Sequence, residues 1–431
     1  MKTVAFHTLG CKVNQYDTQA MLEKFRAAGY EVVPFETAAD VYVINTCTVT
    51  GTGDKKSLQI TRRLRREHPE SAIVLAGCLA QRKGVELLET GAKLIIGTQH
   101  RDQVVELLEQ AIANGTGISA VNELNAATPF EELTITTQDE HTRATLKIQE
   151  GCNNHCTYCI IPSVRGPIRS RSIDNIREET KRLVASGYTE LVLTGIHLSS
   201  YGKDLGDGST LLDAIRAVHE VEGVQRIRLG SLEPTIATAE FSQALAAMPK
   251  VCPQFHLALQ SGSNTVLARM ARRYNMTMYM QAVANLRAAF PMAAFTTDVL
   301  TCFPGETEAE YEETRQVIRD VGYAKIHVFP YSPREGTKAA IMPGQLSKAV
   351  KERRTRELIA LGEETAAAYQ AQWVNKESTV LIEEQIGGVW HGYTPEYIPV
   401  SISDCPACVP GRIVTVRLTN PTAEGMTGEI I

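Results

Sequence analysis

Cys152, Cys156 and Cys159 stand in Gly-Cys-Asn-Asn-His-Cys-Thr-Tyr-Cys at 151–159, a Cys-x3-Cys-x2-Cys set on one short loop. Three thiolates so placed can ligate three irons of a [4Fe–4S] cluster and leave the fourth iron open. An open iron can bind and reduce a substrate, whereas a fully ligated cluster only passes electrons. The alternative is a structural zinc with His155 as fourth ligand, although the spacing matches none of the paired finger patterns. A second set is dispersed along the chain. Cys11, Cys47 and Cys78 each follow a strand-like run, at Val4–Leu9, Val41–Asn45 and Ala72–Ala76. Ligands of open α/β sheets bind beyond the carboxyl ends of the strands, so neighbouring strands would bring these three thiols together. Cysteine is also a common core residue, but core cysteines should fall within strands as often as after them. Gly10 and Gly77 fit a backbone turning tightly beside a bulky inorganic ligand.

The elements that must position these groups are read from periodicity. Short apolar runs alternate with amphipathic stretches over residues 1–115, the pattern of a small parallel α/β domain. Helices are expected at Gln15–Ala28, Lys55–Glu67, Val85–Glu89 and Gln103–Ala111, with a further strand at Leu94–Ile96. Residues 116–142, rich in Gly, Asn, Thr and acidic side chains, read as a linker. From 143 to 372 the alternation restarts with six strands: Thr145–Gln149, Glu190–Leu193, Arg226–Leu229, His256–Gln260, Phe295–Leu300 and Lys325–Phe329. Six βα units are too few for a closed eight-stranded barrel, so a partial (βα)6 barrel is expected. After a long helix at Ser347–Trp373, residues 373–431 read as a small antiparallel β-barrel, with strands at Val380–Glu384, Val389–Gly392, Tyr397–Ile402 and Ile413–Leu418. The fold class is therefore α/β with a C-terminal β-barrel.

Composition narrows the function. Hydrophobic residues at 43% and charged residues at 22% exclude a disordered, collagen-like or coiled-coil chain. No run of 18 apolar residues occurs, so no membrane span is expected. The N-terminus lacks the apolar core of a signal peptide, and a cytoplasmic location follows. In that reducing compartment the ten cysteines are expected to be ligands, catalytic groups or core residues rather than disulfides. A net charge of −5 excludes an indiscriminate nucleic-acid coat protein. Basic clusters at Arg62-Arg63-Leu64-Arg65-Arg66 and Lys351-Glu352-Arg353-Arg354 leave local phosphate contacts open.

Cys-x3-Cys-x2-Cys opening a partial βα barrel, with Tyr158 before the third cysteine, resembles the radical S-adenosylmethionine enzymes. Thr8-Leu9-Gly10-Cys11-Lys12-Val13-Asn14-Gln15, Asn45-Thr46-Cys47-Thr48-Val49-Thr50 and Ala76-Gly77-Cys78 resemble the three cluster signatures of their methylthiotransferase family. The C-terminal barrel is similar to that family's TRAM module. Within the family, 10–15 and 151–162 are most similar to the branch acting on N6-threonylcarbamoyladenosine in tRNA. The resemblance implies two [4Fe–4S] clusters. Cys152, Cys156 and Cys159 would hold the one that chelates S-adenosylmethionine, and Cys11, Cys47 and Cys78 an auxiliary one presenting the sulfur to be transferred. An aromatic C–H offers ordinary acid–base catalysis nothing to work on, so a radical must activate the ring. No side chain is assigned as a catalytic acid or base. The implied partners are tRNA and an external electron donor; no feature of the sequence specifies the donor or an oligomeric state. Isopentenyladenosine in tRNA and an aspartate of a ribosomal protein are the alternative targets. A non-catalytic iron–sulfur RNA-binding redox sensor is the alternative of another class.

Loops after the other barrel strands carry the expected cofactor contacts Gly195, Glu233 and Ser261, at the edge where barrel active sites lie. His197 is expected to be a satisfied loop histidine. Arg165, Arg169 and Arg171 follow the cluster loop and read either as partners for RNA phosphate, the cofactor carboxylate or the threonyl carboxylate of the substrate, or as solvated surface charges. Trp390, His391, Tyr393 and Tyr397 offer rings for stacking bases, some of which must instead fill the small barrel. Two departures from the family pattern stand out. Cys302 occupies a position where relatives carry glycine, and is read as a small buried side chain. Cys405-Pro406-Ala407-Cys408 is half a zinc site, a redox pair or, as favoured here, without a role.

Overall fold

Val41–Thr46 and Ala72–Gly77 are buried at every position, as central parallel strands covered on both faces must be. The computed structural model describes residues 1–138, 141–403 and 405–431. Its first sheet comprises β1 (Thr3–Thr8), β2 (Glu31–Val32), β3 (Val41–Thr46), β4 (Ala72–Gly77), β5 (Leu94–Ile96) and β6 (Ile118–Ala120). The strands are parallel, in the order β2-β1-β3-β4-β5-β6. Helices α1 (Lys12–Ala27), α2 (Gly51–Glu67), α3 (Cys78–Lys83) and α4 (Val104–Ala113) connect them. Thr8 lies opposite Asn45, and Thr46 opposite Gly77. The adjacent strands β1, β3 and β4 therefore end at one level. The stretch expected to be a linker contributes the edge strand β6, and Val85–Glu89 falls in a 3-10 turn at Gly84–Thr90 rather than an α-helix.

The second body is an open barrel. In chain order it contains β7 (Ala144–Glu150), α5 (Ile161–Arg165), β8 (Arg169–Ser170), α6 (Ile173–Ala185), β9 (Glu190–Gly195), α7 (Leu211–His219), β10 (Arg226–Leu229), α8 (Ala239–Ala246) and β11 (Gln254–His256). There follow α9 (Asn264–Arg269), α10 (Met276–Ala289), β12 (Ala294–Thr301), α11 (Glu308–Val321) and β13 (Lys325–Pro330). Hydrogen bonds join β7, β9 and β10 on one side and β11, β12 and β13 on the other, and the isolated bridges Ile227–Val251 and Leu232–Leu257 link the halves. All six are parallel; the short β8 runs antiparallel to β7. The expected strand His256–Gln260 ends at His256. Gln260 takes a φ of 61°, which an extended strand cannot accommodate.

Alternation along β7 explains how the first two bodies meet. Leu146 and Ile148 join the apolar core that includes Ile176 and Leu183 of α6. Lys147 points the other way, its Nζ 2.6 Å from Asp17 Oδ1 of α1. Helix α1 therefore lies against the inner, polar face of the open barrel. That face continues through Arg228, whose Nε donates to Glu190 at 2.8 Å, and Gln254, whose amide donates to Thr296 Oγ1 at 3.1 Å.

The long helix α12 (Lys348–Ala371) leads to the closed barrel of β14 (Glu377–Ile386), β15 (Val389–Tyr393), β16 (Pro399–Ile402), β17 (Ile413–Pro421) and β18 (Met426–Ile430). Its core holds Val380, Ile382, Val400, Val416 and Leu418, with Trp373 and Tyr369 from the preceding segment. Cys405 and Cys408, expected to have no role, are instead joined as a disulfide and pack in this core. The barrel is pinned to β10. Arg226 donates to Thr379 O at 2.9 Å and Tyr393 O at 3.0 Å, and Arg228 to Pro395 O at 2.8 Å. Among the described residues no helix is long and apolar enough to cross a membrane.

Candidate iron–sulfur and cofactor site

Because β1, β3 and β4 end together, Cys11, Cys47 and Cys78 leave one edge of the sheet. Gly10, at φ 104°, brings the backbone so close that a Cβ there would sit 3.0 Å from both Cβ and Sγ of Cys47. Gly77, at φ 89°, has no room either, since a Cβ would lie 2.3 Å from Asn45 Oδ1. Side-chain-free residues at both turns are what allows the thiols to converge. Cys11 is exposed, Cys47 half-buried and Cys78 buried. Burial pushes the Cys47 thiol up and the Cys78 thiol up to about 11. A thiol this reluctant to ionise becomes a thiolate when a cation or metal compensates it. Arg165 supplies part of that compensation, with its Nε 3.1 Å from Cys78 Sγ.

The other set sits on the loop after β7. Burial raises the thiols of Cys152 and Cys159, the latter to about 12, and each of the two also feels the charge of Cys156. Asn154 N–H donates to Cys152 Sγ at 3.4 Å and Arg272 Nη1 to Cys156 Sγ at 3.2 Å. Hydrogen bonds and positive charge at the sulfurs are what tune an iron–sulfur centre. Among the described residues no three His, Cys, Asp or Glu side chains gather tightly enough to share one metal ion. His155, the fourth ligand of the zinc alternative, is exposed. Thiols spread round a loop suit a cluster of several irons, each taking one thiolate. Both sets therefore fit an iron–sulfur group in donor chemistry.

Glu233 comes directly against the cluster loop. Its Oε1 accepts from Arg272 at 3.1 Å and from Asn154 at 3.4 Å, and its Oε2 is 3.1 Å from His197 Nε2. Burial alone would raise its pKa, but His197 and Arg272 outweigh burial and hold the carboxyl below the usual range. His197 is satisfied, as expected, with Nδ1 2.6 Å from Ser200 Oγ. Tyr158 donates to Gln260 Oε1 at 3.0 Å, tying the cluster loop to the loop after β11. Gly195 packs against β7, where a Cβ would lie 2.8 Å from that of Gln149. Ser261 is buried, with its hydroxyl 3.3 Å from Thr314 Oγ1 of α11. These two residues shape the loops that Glu233 shares.

The arginines fall elsewhere than expected. Arg165 and Arg171 are fully buried and spent on protein partners. Arg165 pairs with Glu150 at 2.9 Å and Asp17 at 3.1 Å and bonds Asn14 Oδ1, and Arg171 binds Glu179, Tyr16 and Leu133 O. Arg169 is 3% exposed, and its three nitrogens have no hydrogen-bond partner among the described residues. Asp17, Glu150, Lys147 and Arg101 complete a buried ionic network between α1 and β7. Proximity in sequence to the cluster loop did not reveal it. The available signal was Lys147 and Gln149 alternating with Leu146 and Ile148 in an otherwise apolar strand.

Cys302 takes a φ of 61° and is fully buried. It adopts the left-handed conformation that favours glycine, so the backbone path survives the substitution. Cys302→Ala should leave the iron content of the purified protein unchanged, measured against total protein; a loss of iron would make Cys302 a ligand.

Comparison with known proteins agrees with this geometry. Residues 3–97 match the uncharacterized protein family UPF0004, and residues 146–318 match the Radical SAM superfamily. A cobalamin-bound radical S-adenosylmethionine methyltransferase, TsrM, from Kitasatospora setae shares the fold, with a TM-score of 0.57 over 79% of this chain and 77% of that one, at 14% identity. Fold and thiol loop together define a radical S-adenosylmethionine enzyme. The chain is 43% identical to the threonylcarbamoyladenosine tRNA methylthiotransferase MtaB of Bacillus subtilis, over 97% of this chain and 94% of the relative. It is 35% identical to that of Thermotoga maritima over 92% and 91%, and 36% identical to the tRNA-2-methylthio-N(6)-dimethylallyladenosine synthase of Moorella thermoacetica over 100% and 98%. The chain belongs to the radical S-adenosylmethionine methylthiotransferase family.

Proposed function

We propose that this chain converts N6-threonylcarbamoyladenosine, next to the anticodon of tRNA, to its 2-methylthio derivative. The observation that carries the reading is the end-to-end likeness to threonylcarbamoyladenosine tRNA methylthiotransferases, 43% identical over 97% of the chain, in a protein whose thiols form two sets. Cys152, Cys156 and Cys159 would hold the cluster that binds S-adenosylmethionine, and Cys11, Cys47 and Cys78 a second, auxiliary cluster. With the cofactor bound, the first of these supplies a radical able to activate an aromatic C–H.

The remaining work falls to the chain. Arg272 and Asn154 set the electrostatics of the cluster loop, Glu233 stands ready beside it for a polar part of the cofactor, and Gly195 and Ser261 keep the neighbouring loops in register. Arg165 holds the auxiliary cysteine Cys78 against the barrel. The C-terminal barrel, from about residue 373, contributes RNA affinity. Of the rings suggested for stacking, Trp390 packs on the barrel core, whereas Tyr393 and Tyr397 stack at 4.5 Å beneath the Arg143 guanidinium.

Anaerobically reconstituted enzyme, given reductant and S-adenosylmethionine, should methylthiolate tRNA carrying the threonylcarbamoyl group and leave isopentenyl-modified tRNA unchanged, as read by mass analysis of nucleosides. Preference for the isopentenyl tRNA or for a ribosomal-protein peptide would overturn the substrate assignment. Failure to release methionine and 5′-deoxyadenosine would favour a redox sensor.

A further inference from the structure

Arg169 is 3% exposed, yet none of its three guanidinium nitrogens finds an acceptor among the described residues. A guanidinium cannot shed its proton in a protein, so a full charge with five N–H donors is held out of water. An enclosed water would occupy one or two of those donors without cancelling the charge. The residue stands on β8, opposite Glu150 of β7. Its Nη1 lies against the turn at Arg165 and Gly166, where a Cβ on Gly166 would come 3.1 Å from it. That turn touches both thiol sets. Arg165 Nε is 3.1 Å from Cys78 Sγ, and Gly166 O accepts from Cys152 N–H at 3.0 Å.

The surrounding groups leave this charge unbalanced. Four cations, Arg101, Lys147, Arg165 and Arg169, are buried there with three carboxylates, Asp17, Glu150 and the largely buried Glu131. Glu150 is already bonded by Arg165 at 2.9 Å and paired with Lys147 at 2.8 Å. Burial lowers the pKa of Arg169, and Arg101 and Arg165 add to this against Glu150 and Glu131. A buried cation without a counter-charge is costly, so the anion it lacks must come from a neighbour. A [4Fe–4S] cluster in its oxidised, doubly positive state, held by three thiolates, carries a single net negative charge and gains another on reduction. Loaded onto Cys11, Cys47 and Cys78, beside Arg165, such a cluster supplies the missing anion. The other thiol set has a cation of its own, Arg272 at Cys156.

We infer that Arg169 is a positioning residue for the auxiliary cluster: acting through the Arg165 network, its unpaired charge balances the loaded cluster and favours the reduced form. Docking of the first sheet on the barrel is thereby tied to cluster loading, because without the cluster the interface of α1 and β7 holds an uncompensated cation. The inference rests on the reading above that Cys11, Cys47 and Cys78 hold a cluster. Arg165 differs in kind. It donates to two carboxylates that its loss would strand, whereas Arg169 donates to none.

The test uses the full-length chain with Cys152, Cys156 and Cys159 replaced by Ala, which leaves only the auxiliary cluster. This parent is compared with its Arg169→Met and Arg169→Lys variants, each before and after anaerobic reconstitution with iron and sulfide. Arg169→Met should raise the unfolding temperature of the iron-free chain and gain less than the parent from loading. In a redox titration followed by electron paramagnetic resonance, its cluster should be about tenfold less reduced at a given potential, ~59 mV lower for a one-electron couple. That is the scale of one unit charge acting across a protein interior. Arg169→Lys should keep the parent's potential. A residue that only fills space would lower the stability of both forms and leave the potential alone. An unchanged potential therefore overturns the proposal, as does an iron-free Arg169→Met chain that is less stable than its parent or fails to fold. A parent that takes up no iron would overturn the cluster reading and this inference with it. A parent with about four irons, whose potential Arg169→Met leaves unchanged, would sink this inference alone.

Discussion

Replacing Cys152, Cys156 and Cys159 together by Ala should abolish release of 5′-deoxyadenosine while leaving about four of about eight irons per chain. The converse triple variant, at Cys11, Cys47 and Cys78, should keep part of that cleavage and stop sulfur insertion. The two outcomes differ because the sets are built on separate bodies, one on the sheet edge after β1, β3 and β4, the other on the loop after β7. Loss of one need not unfold the support of the other. Iron and sulfide content, with cleavage and methylthiolation assayed side by side, distinguishes the variants. Full iron content in both triple variants would mean that the six thiolates are wrongly assigned.

The second large effect is expected from Arg165→Met. Its guanidinium contacts Cys78 Sγ, Asp17, Glu150 and Asn14 with no exposure to solvent. Removing one partner from a buried ionic network leaves uncompensated charge and costs about 3–5 kcal/mol. The first sheet should loosen from the barrel, and the iron that the proposed reading places at Cys11, Cys47 and Cys78 should fall with it. Thermal unfolding and iron content report both. Burial by itself would raise the pKa of Asp17 and Glu150, but Arg101, Lys147 and Arg165 outweigh it and hold both carboxyls below their usual range. Their contribution to stability is therefore complete above the ordinary carboxylate pKa and is lost as pH falls below about 4 toward the lowered folded values. An acid titration of wild type should show this loss, and Arg165→Met should show less of it.

The sequence shows the thiol sets plainly because each follows a strand whose apolar run is unmistakable, and parallel strands end on a common edge. It shows the open barrel for the same reason. The barrel's interior partners were hidden. Asp17 lies 130 residues from Lys147 and 148 from Arg165, and no local pattern pairs them. Arg165, Arg169 and Arg171 read as available to RNA, cofactor or solvent because charge beside a cluster loop usually is; here the end of α5, strand β8 and the residue after it turn them inward. Strand β18 was missed because Met426–Ile430 contains glycine and a single burial alternation. The disulfide at Cys405–Cys408 stood among the alternatives but was not the favoured one, because a reducing compartment argues against lasting disulfides and the sequence does not show that the pair packs in the small barrel's core.

The docking of the last barrel on β10 sets an order on synthesis. Arg226 and Arg228 share one carboxylate, Glu190, and apart from Gln254 Oε1, 3.4 Å from Arg228, their other acceptors lie on Thr379, Tyr393, Thr394 and Pro395. Those acceptors leave the ribosome roughly 150 residues after the arginines do. Until then the nascent barrel holds two guanidinium groups with surplus charge at its mouth. A chain that stops short of the final module remains electrostatically unfinished in the body that carries the cofactor loop, so premature termination damages more than the part it deletes.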